Sequence, residues 1–377
     1  MGLCCMTQIL DPTSDLQRER VLFIFRTDLF DKSSESPSDF RWGMDWLNQE
    51  KYEVSSINAP RRQRRSGYRL LFWAPDWFLA KTLRIGLPIE IYPMFRDQIN
   101  SVDHIVCAND QISLAILWWR MLGKLNGKKI HCVVMSLPER VKNPNVPKFV
   151  NAFVAHLLRH AYSILTLSQA VREEFQEVFG IVRSKIHPIY FGVDPDFWST
   201  ATRDRADNVP FALAIGNDLN RDYESLVRAL PSGIPLKIVT QQKVEVRGLE
   251  AGQNIQIMNE WLTNVEVREL YRKATLVIIP IKPVSSESTG LSTILQAMAC
   301  GAPVITADGR TIRELFEANG TCVFYKAGDS RDLAVQIRRL WNSSSEKEKL
   351  ARKAGKHVGE EFTSAKLAGR ISTALSS

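Results

Sequence analysis

Short apolar runs recur along the chain, and most are separated by enough residues for one amphipathic helix. Val21–Phe25 is the first run and Tyr52–Ile57 the second. Asp103–Ala108, Lys129–Met135, Ser163–Leu167 and Ile186–Tyr190 follow. Runs this short, apolar on both sides, predict strands buried in a sheet interior. Helical patterns fall between them at Ile112–Leu122, Asn151–Ala161 and Ser168–Phe179. Ser168 stands where an N-cap belongs, and Gly180 stands where a left-handed C-terminal glycine belongs.

A polar, turn-rich stretch, GVDPDFWSTATRDRADNVP over 192–210, interrupts the alternation and reads as an interdomain linker. The alternation then restarts. Strands are expected at Phe211–Ile215, Leu236–Thr240, Ile255–Met258, Leu276–Pro280 and Val304–Thr306, with helices at Asp222–Leu230, Val265–Lys273 and Ser292–Cys300. The expectation is an α/β protein of two Rossmann-like, doubly wound domains facing across a cleft. Residues 1–192 form the first, 193–210 the linker, 211–360 the second, and 361–377 a closing helix that packs back toward the first. Ligands of such sheets bind beyond the carboxyl ends of the strands.

The segment 276–306, LVIIPIKPVSSESTGLSTILQAMACGAPVIT, carries the chemistry. A buried strand ends at Pro280, a polar loop follows, and Gly290 precedes a helix apolar at Leu291, Ile294, Leu295 and Met298. Gly301 and Pro303 stop that helix. Its first N–H groups have no helical partner, and the helix dipole favours negative charge there. Thr289, Gly290, Leu291 and Ser292 therefore make a candidate phosphate cradle. The same strand-loop-helix occurs in any doubly wound fold, so these residues alone leave both readings open.

Composition narrows the class. With 377 residues, 45% of them hydrophobic and 24% charged, the chain has globular rather than disordered character. Charges interrupt every long apolar stretch, so no transmembrane helix is expected. No basic segment followed by an apolar run marks a secretory signal, which predicts a cytoplasmic protein. Cys4, Cys5, Cys107, Cys132, Cys300 and Cys322 are scattered without a C-x-x-C pair and read as reduced thiols. The net charge of +8 divides as +6 over 1–192 and +2 over the remainder, so the first half is the one suited to an anionic surface.

Gln296-Ala297-Met298-Ala299-Cys300-Gly301-Ala302-Pro303-Val304 resembles the second half of the donor signature of retaining glycosyltransferase family 4, a family with the two-domain GT-B fold. Leu167-Ser168-Gln169-Ala170, the interdomain IYFGVDPDFW of 189–198, Ala214-Ile215-Gly216 with Arg221-Asp222-Tyr223, Arg313-Glu314-Leu315, Asn319-Gly320 and Gly328-Asp329 extend the resemblance from about residue 160 to the end. It implies transfer of a hexose, with retention and without metal or cofactor, from a UDP- or GDP-linked sugar to a glycan or lipid-linked acceptor. It also implies that Gly216, Asn217, Arg221, Ser288, Thr289, Gly290, Leu291, Ser292 and Gln296 hold the donor. The family's second Glu is Gln296 here, which carries no charge but can accept one hydroxyl and donate to another. The first Glu aligns with Ser288, and Glu287 is the neighbouring acid. Asn217 replaces the family's Arg, and Arg221 stands where its Lys would be. Arg221 can pair with a diphosphate.

Glu287, toward the sugar, and Asp110, toward the acceptor, are the candidate catalytic residues. Asp110 follows the carboxyl end of a strand in the first domain; capping the helix over 112–122 is its alternative role. His131, beside a strand, reads as structural. Residues 61–96 combine eight basic residues with seven aromatics, which suits an anionic membrane interface or, equally, a core flanked by a solvated loop. No nucleic-acid motif accompanies the charge. Gln296 and Asn217 motivate a second reading, a GT-B subunit that binds or scaffolds without turnover.

Overall fold

The computed structural model describes residues 18–26, 36–59, 76–77, 79–83, 85–199, 209–245, 254–283 and 288–377. The terminal Cys4–Cys5 pair, Glu287 and much of the basic-aromatic stretch at 61–75 lie outside them.

Two six-stranded, wholly parallel sheets organise the chain. The first contains β1 (Glu19–Arg26), β2 (Tyr52–Ala59), β3 (His104–Cys107), β4 (Lys129–Val133), β5 (Ser163–Thr166) and β6 (Ile186–Pro188), in the order β2-β1-β3-β4-β5-β6. The second contains β7 (Ala212–Ile215), β8 (Leu236–Val239), β9 (Ile255–Met258), β10 (Leu276–Ile279), β11 (Val304–Ala307) and β12 (Val323–Tyr325), in the order β12-β11-β10-β7-β8-β9. All four residues of β3, β5, β10 and β11 are buried, as continuous apolar runs covered on both faces require. Strand order reverses between β1 and β3 in the first sheet, and between β7 and β10 in the second. These two crevices are where ligands of open α/β sheets bind.

The helices follow the cap chemistry of the sequence. In α1 (Asp110–Met121), Asn109 rather than Asp110 is the cap, its Oδ1 accepting from Ile112 N at 3.0 Å. Asp110 is already the first helical residue. After α2 (Leu137–Lys142) and α3 (Lys148–Arg159), Ser168 caps α4 (Gln169–Phe179) by accepting from Val171 N at 3.0 Å. Gly180 ends α4 at φ 62°. The stretch 193–210 is not uniformly a solvated linker. Asp194 and Pro195 start a single helical turn, α5 (Pro195–Trp198), and Phe197 and Trp198 are buried with it. The polar residues around this aromatic pair outnumber it and mask it in the sequence.

The second lobe adds α6 (Tyr223–Ala229), α7 (Asn264–Lys273), α8 (Leu291–Ala299), α9 (Arg310–Phe316), α10 (Ser330–Asn342), α11 (Ser344–Glu361) and α12 (Ser364–Ser376). The last of these lies on the first lobe. Lys51 Nζ donates to Ser376 Oγ at 2.6 Å, and the Tyr52 hydroxyl lies 3.3 Å from Ser372 Oγ. The carboxyl ends of the sheets meet through α4 and α9. Glu314 accepts from the N–H groups of Gln169 and Ala170 at 2.8 Å each, Ser168 Oγ lies 2.7 Å from Thr311 Oγ1, and Arg310 pairs with Glu173 at 2.8 Å. Among the described residues no helix is long and apolar enough to cross a membrane.

His131 is a core residue at the amino edge of the first sheet. Its Nε2 lies 3.0 Å from His104 Nδ1 and its Nδ1 lies 2.7 Å from Ser163 Oγ. Burial holds both imidazoles below their ordinary range. The unfolded chain therefore binds more protons below about pH 6.5, and stability falls as pH drops through that region. Denaturant melts at pH 7.5 and 5.5 should show a loss at the lower pH that shrinks in His131→Asn; an unchanged pH dependence in that variant contradicts the assignment.

Candidate active site

The crevice between β7 and β10 is built around one buried cation. Residues 220–222 run beside 280–282. Asp222 N donates to Pro280 O at 3.0 Å, Lys282 N donates to Asn220 O at 2.9 Å, and an isolated bridge joins Arg221 to Ile281. This pairing turns the Arg221 side chain inward, where it is only 2% exposed. Nε donates to Asp218 Oδ2 at 2.7 Å and one terminal nitrogen, Nη2, donates to Thr293 Oγ1 at 3.0 Å. The other, Nη1, is buried without a partner. A buried, unpaired donor on a charged group is costly, so an incoming anion that accepts from it gains the whole of that penalty.

Two glycines make room for the guanidinium. A Cβ on Gly216 would lie 2.4 Å from Arg221 Nε and 2.8 Å from Cζ. Gly290 is left-handed at φ 80°, and a Cβ there would lie 2.9 Å from Ile279 Cγ2 and 3.3 Å from Arg221 Nη1. Gly290 is also the N-cap of α8, and no side chain caps that helix. The open amide end of a nine-residue helix and the free nitrogen of Arg221 thus flank the same backbone position. Thr293, which no motif singles out, is the hydroxyl that aims Arg221.

The neighbouring turn faces the first lobe. Ser288 Oγ donates to Met135 O, just beyond β4, at 2.7 Å. Asn220 Nδ2 lies 3.4 Å from both Thr289 Oγ1 and Glu139 Oε1. Leu291 is a core anchor, 2% exposed, whereas Ser292 is half-buried.

Gln296 and a carboxylate from the first lobe form a buried pair. Gln296 Nε2 donates to Asp39 Oδ2 at 2.9 Å. Asp39 also accepts from Trp198 Nε1 at 2.8 Å and from Asp194 N at 2.6 Å. A Glu at 296 would place two carboxylates in contact; the amide instead donates. Burial pushes the Asp39 carboxyl up to about 6, against the pull of its three donors.

The remaining candidates sit elsewhere. Asn217 is exposed, and its Oδ1 braces the loop after β8 by accepting from Gln241 N at 2.7 Å. Asp110 lies in the crevice of the first sheet, buried, accepting from Met135 N at 3.1 Å and from Ser136 N and Oγ at 3.2 Å each. Its carboxylate fixes the β4–α2 turn from below. A first-lobe carboxylate that does reach the loop carrying Asn220 is Glu139 on α2. Burial raises its carboxyl above the usual range. The sequence hid Glu139 because α2 is too short to show a period.

Sequence and structure comparisons agree with this architecture. A family model described as Glycosyltransferase Family 4 matches residues 44–197, and one described as Glycosyl transferases group 1 matches 239–357. An uncharacterized glycosyltransferase of Methanocaldococcus jannaschii is 24% identical over 224 residues, covering 53% of this chain and 56% of the relative. A glycogen synthase of Mycobacterium tuberculosis is 23% identical over 225 residues, covering 56% and 53%. The chain spans about half the length of these curated relatives. The Anabaena protein HepE, crystallised with UDP and glucose, superposes with a TM-score of 0.69 at 14% identity, covering 96% of this chain and all of that one.

Asp39 supplies a pH test of opposite sign to the histidines. Its carboxyl binds a proton more tightly in the folded than in the unfolded chain, so its contribution is lost as pH rises from about 4 to about 6. The difference in unfolding free energy between wild type and Asp39→Asn should fall by about 3 kcal/mol across that window, the equivalent of roughly two pKa units. A difference that stays flat with pH counts against a buried, ionising Asp39.

Proposed function

We propose that this chain, which belongs to glycosyltransferase family 4 and has the GT-B fold, transfers a hexose with retention from a nucleoside-diphosphate sugar to a glycan or lipid-linked acceptor. One observation carries the reading: the buried Arg221 Nη1 has no partner beside the uncapped helix that begins at Gly290. That pair of donors suits a diphosphate, whose negative charge grows as the bond from the anomeric carbon to the phosphate oxygen breaks. The acceptor hydroxyl attacks from the leaving group's face, a new C–O bond forms, and the proton passes to the departing phosphate oxygen. Charge stabilisation in this scheme comes from Arg221 and the α8 amides and calls on no metal.

Each lobe has its part. Gln296, with Nε2 held by Asp39, offers its carbonyl oxygen to a ribose hydroxyl. Glu139, reaching the donor loop through Asn220, orients the acceptor more directly than Asp110, whose oxygens serve the turn at Met135 and Ser136. Glu287, beside the described turn, is proposed to face the sugar. UDP is the favoured nucleotide, supported by the HepE complex. Tyr92 and Phe95 belong to the core of the first lobe, but the basic residues of 61–96 and exposed Trp77 are proposed to bring the protein to an anionic membrane from the cytoplasmic side.

A binding subunit without turnover is the second reading. It is favoured by Gln296 and Asn217, both committed to protein partners at positions where the family carries charged residues. Release of UDP or GDP from a panel of nucleotide sugars separates the two readings, since a folded protein that releases neither supports the second. For either, Arg221→Ala should weaken nucleotide binding about tenfold or more, because a hydrogen bond to a charged group contributes roughly 1.5–3 kcal/mol. Calorimetric titration with UDP and GDP reads this directly; unchanged affinity moves the site elsewhere.

A further inference from the structure

A second concentration of positive charge lies at the opposite end of the first lobe. Lys128 stands just before β4, Ser163 opens β5 and Lys185 stands just before β6, so their common edge is the amino edge of the first sheet, away from the cleft. There a cavity of about 620 Å³ is lined by Arg120, Lys128, Arg159 and Lys185, with His160 and His187 among them. The volume is that of a small-molecule site.

Two of these cations are held by backbone carbonyls, and Lys128 lies in the field of Asp103 without pairing with it. Lys185 Nζ donates to Arg159 O at 3.3 Å and to Ala161 O at 3.1 Å, and Arg120 Nη1 donates to Leu125 O. Backbone carbonyls hold these side chains in place without cancelling their charge. Among the described residues none of the four cations makes an ion pair. His160 is held below its ordinary range, first by burial and then by His156, Arg120 and Lys185. Ser377 stands at the rim, its carbonyl accepting from the Tyr162 hydroxyl at 2.8 Å. Four cations around one hollow repel each other, and a multiply charged anion is the ligand that relieves that repulsion. Phosphate fits better than a carboxylate, since it offers more acceptor oxygens and up to two charges to donors converging from several sides.

We propose that the cavity at the amino edge of the first sheet is a separate binding site for a phosphate group, remote from the donor crevice. The proposal is independent of the donor reading, so its test is run in the Arg221→Ala protein, where pyrophosphate binding in the cleft is already weakened. One arm titrates that protein with pyrophosphate by calorimetry and thermal shift. The other sediments it with vesicles of equal parts phosphatidylcholine and phosphatidylglycerol. Lys128→Glu/Arg159→Glu should weaken the interaction at least about tenfold, as the loss of charged hydrogen bonds implies. Arg338→Glu, an exposed charge reversal on α10 in the other lobe, should leave it unchanged. Loss in the pyrophosphate arm identifies a soluble phospho-compound, and loss in the vesicle arm alone identifies a lipid headgroup. Arg159 is exposed, so the single Arg159→Gln, expected to weaken binding severalfold, serves if the double variant melts early. The site is overturned if neither probe binds, or if Arg338→Glu weakens binding as much as the variants at the cavity.

Discussion

A guanidinium withdrawn from water sets the terms for the second lobe. Arg221 is buried with a single carboxylate, one hydroxyl and one unsatisfied nitrogen, an arrangement that packing alone would not favour. Much of the local backbone is shaped to accommodate it. The short pairing of 220–222 with 280–282 delivers the side chain, Gly216 and Gly290 leave space for it, and the Tyr223 and Thr240 hydroxyls hold Gly216 O at 2.7 Å each. A desolvated, partly unpaired cation in the crevice where β7 and β10 diverge suits the proposed anion site.

Asp39 does for the whole molecule what Arg221 does for one lobe. It comes from the loop between β1 and β2, yet its oxygens collect donors from the interdomain segment and from α8 of the second lobe. Three parts of the chain, distant in sequence, thus share one buried carboxylate. An amide suits position 296 because it faces a buried acid, to which it can donate where a carboxylate could not.

The sequence made much of this legible, for identifiable reasons. Central strands such as β1 and β10 are near-continuous apolar runs, and the caps at Ser168 and Gly180 are local chemistry that tertiary context did not override. Gly290 stood out because it opens a helix at the carboxyl end of a buried strand, whereas Gly216 and Arg221 were legible only through the family resemblance. What escaped depends on contacts between distant segments. Asn109 and Asp110 are adjacent and both suit a cap, so only geometry shows that the first caps while the second holds Met135 and Ser136. Asp39 looks like any surface acid until Trp198, itself hidden in a polar stretch, is seen to donate to it. Thr293 and Glu139 carry no motif at all.

The junction between α4 and α9 also bears on how the lobes separate. Ser168 caps α4 from within the first lobe, but Glu314 of the second lobe supplies the acceptors for the two amides that Ser168 leaves open, those of Gln169 and Ala170. Hydrogen bonds fail within a fraction of an ångström of stretch, and a rigid displacement strips both amides together. Gaping would then hand the Gln169 and Ala170 amides to water and part Arg310 from Glu173. Any separation of the lobes along this seam has to part the two amides from Glu314 together with Ser168 from Thr311 and Arg310 from Glu173, so the seam resists opening as a unit.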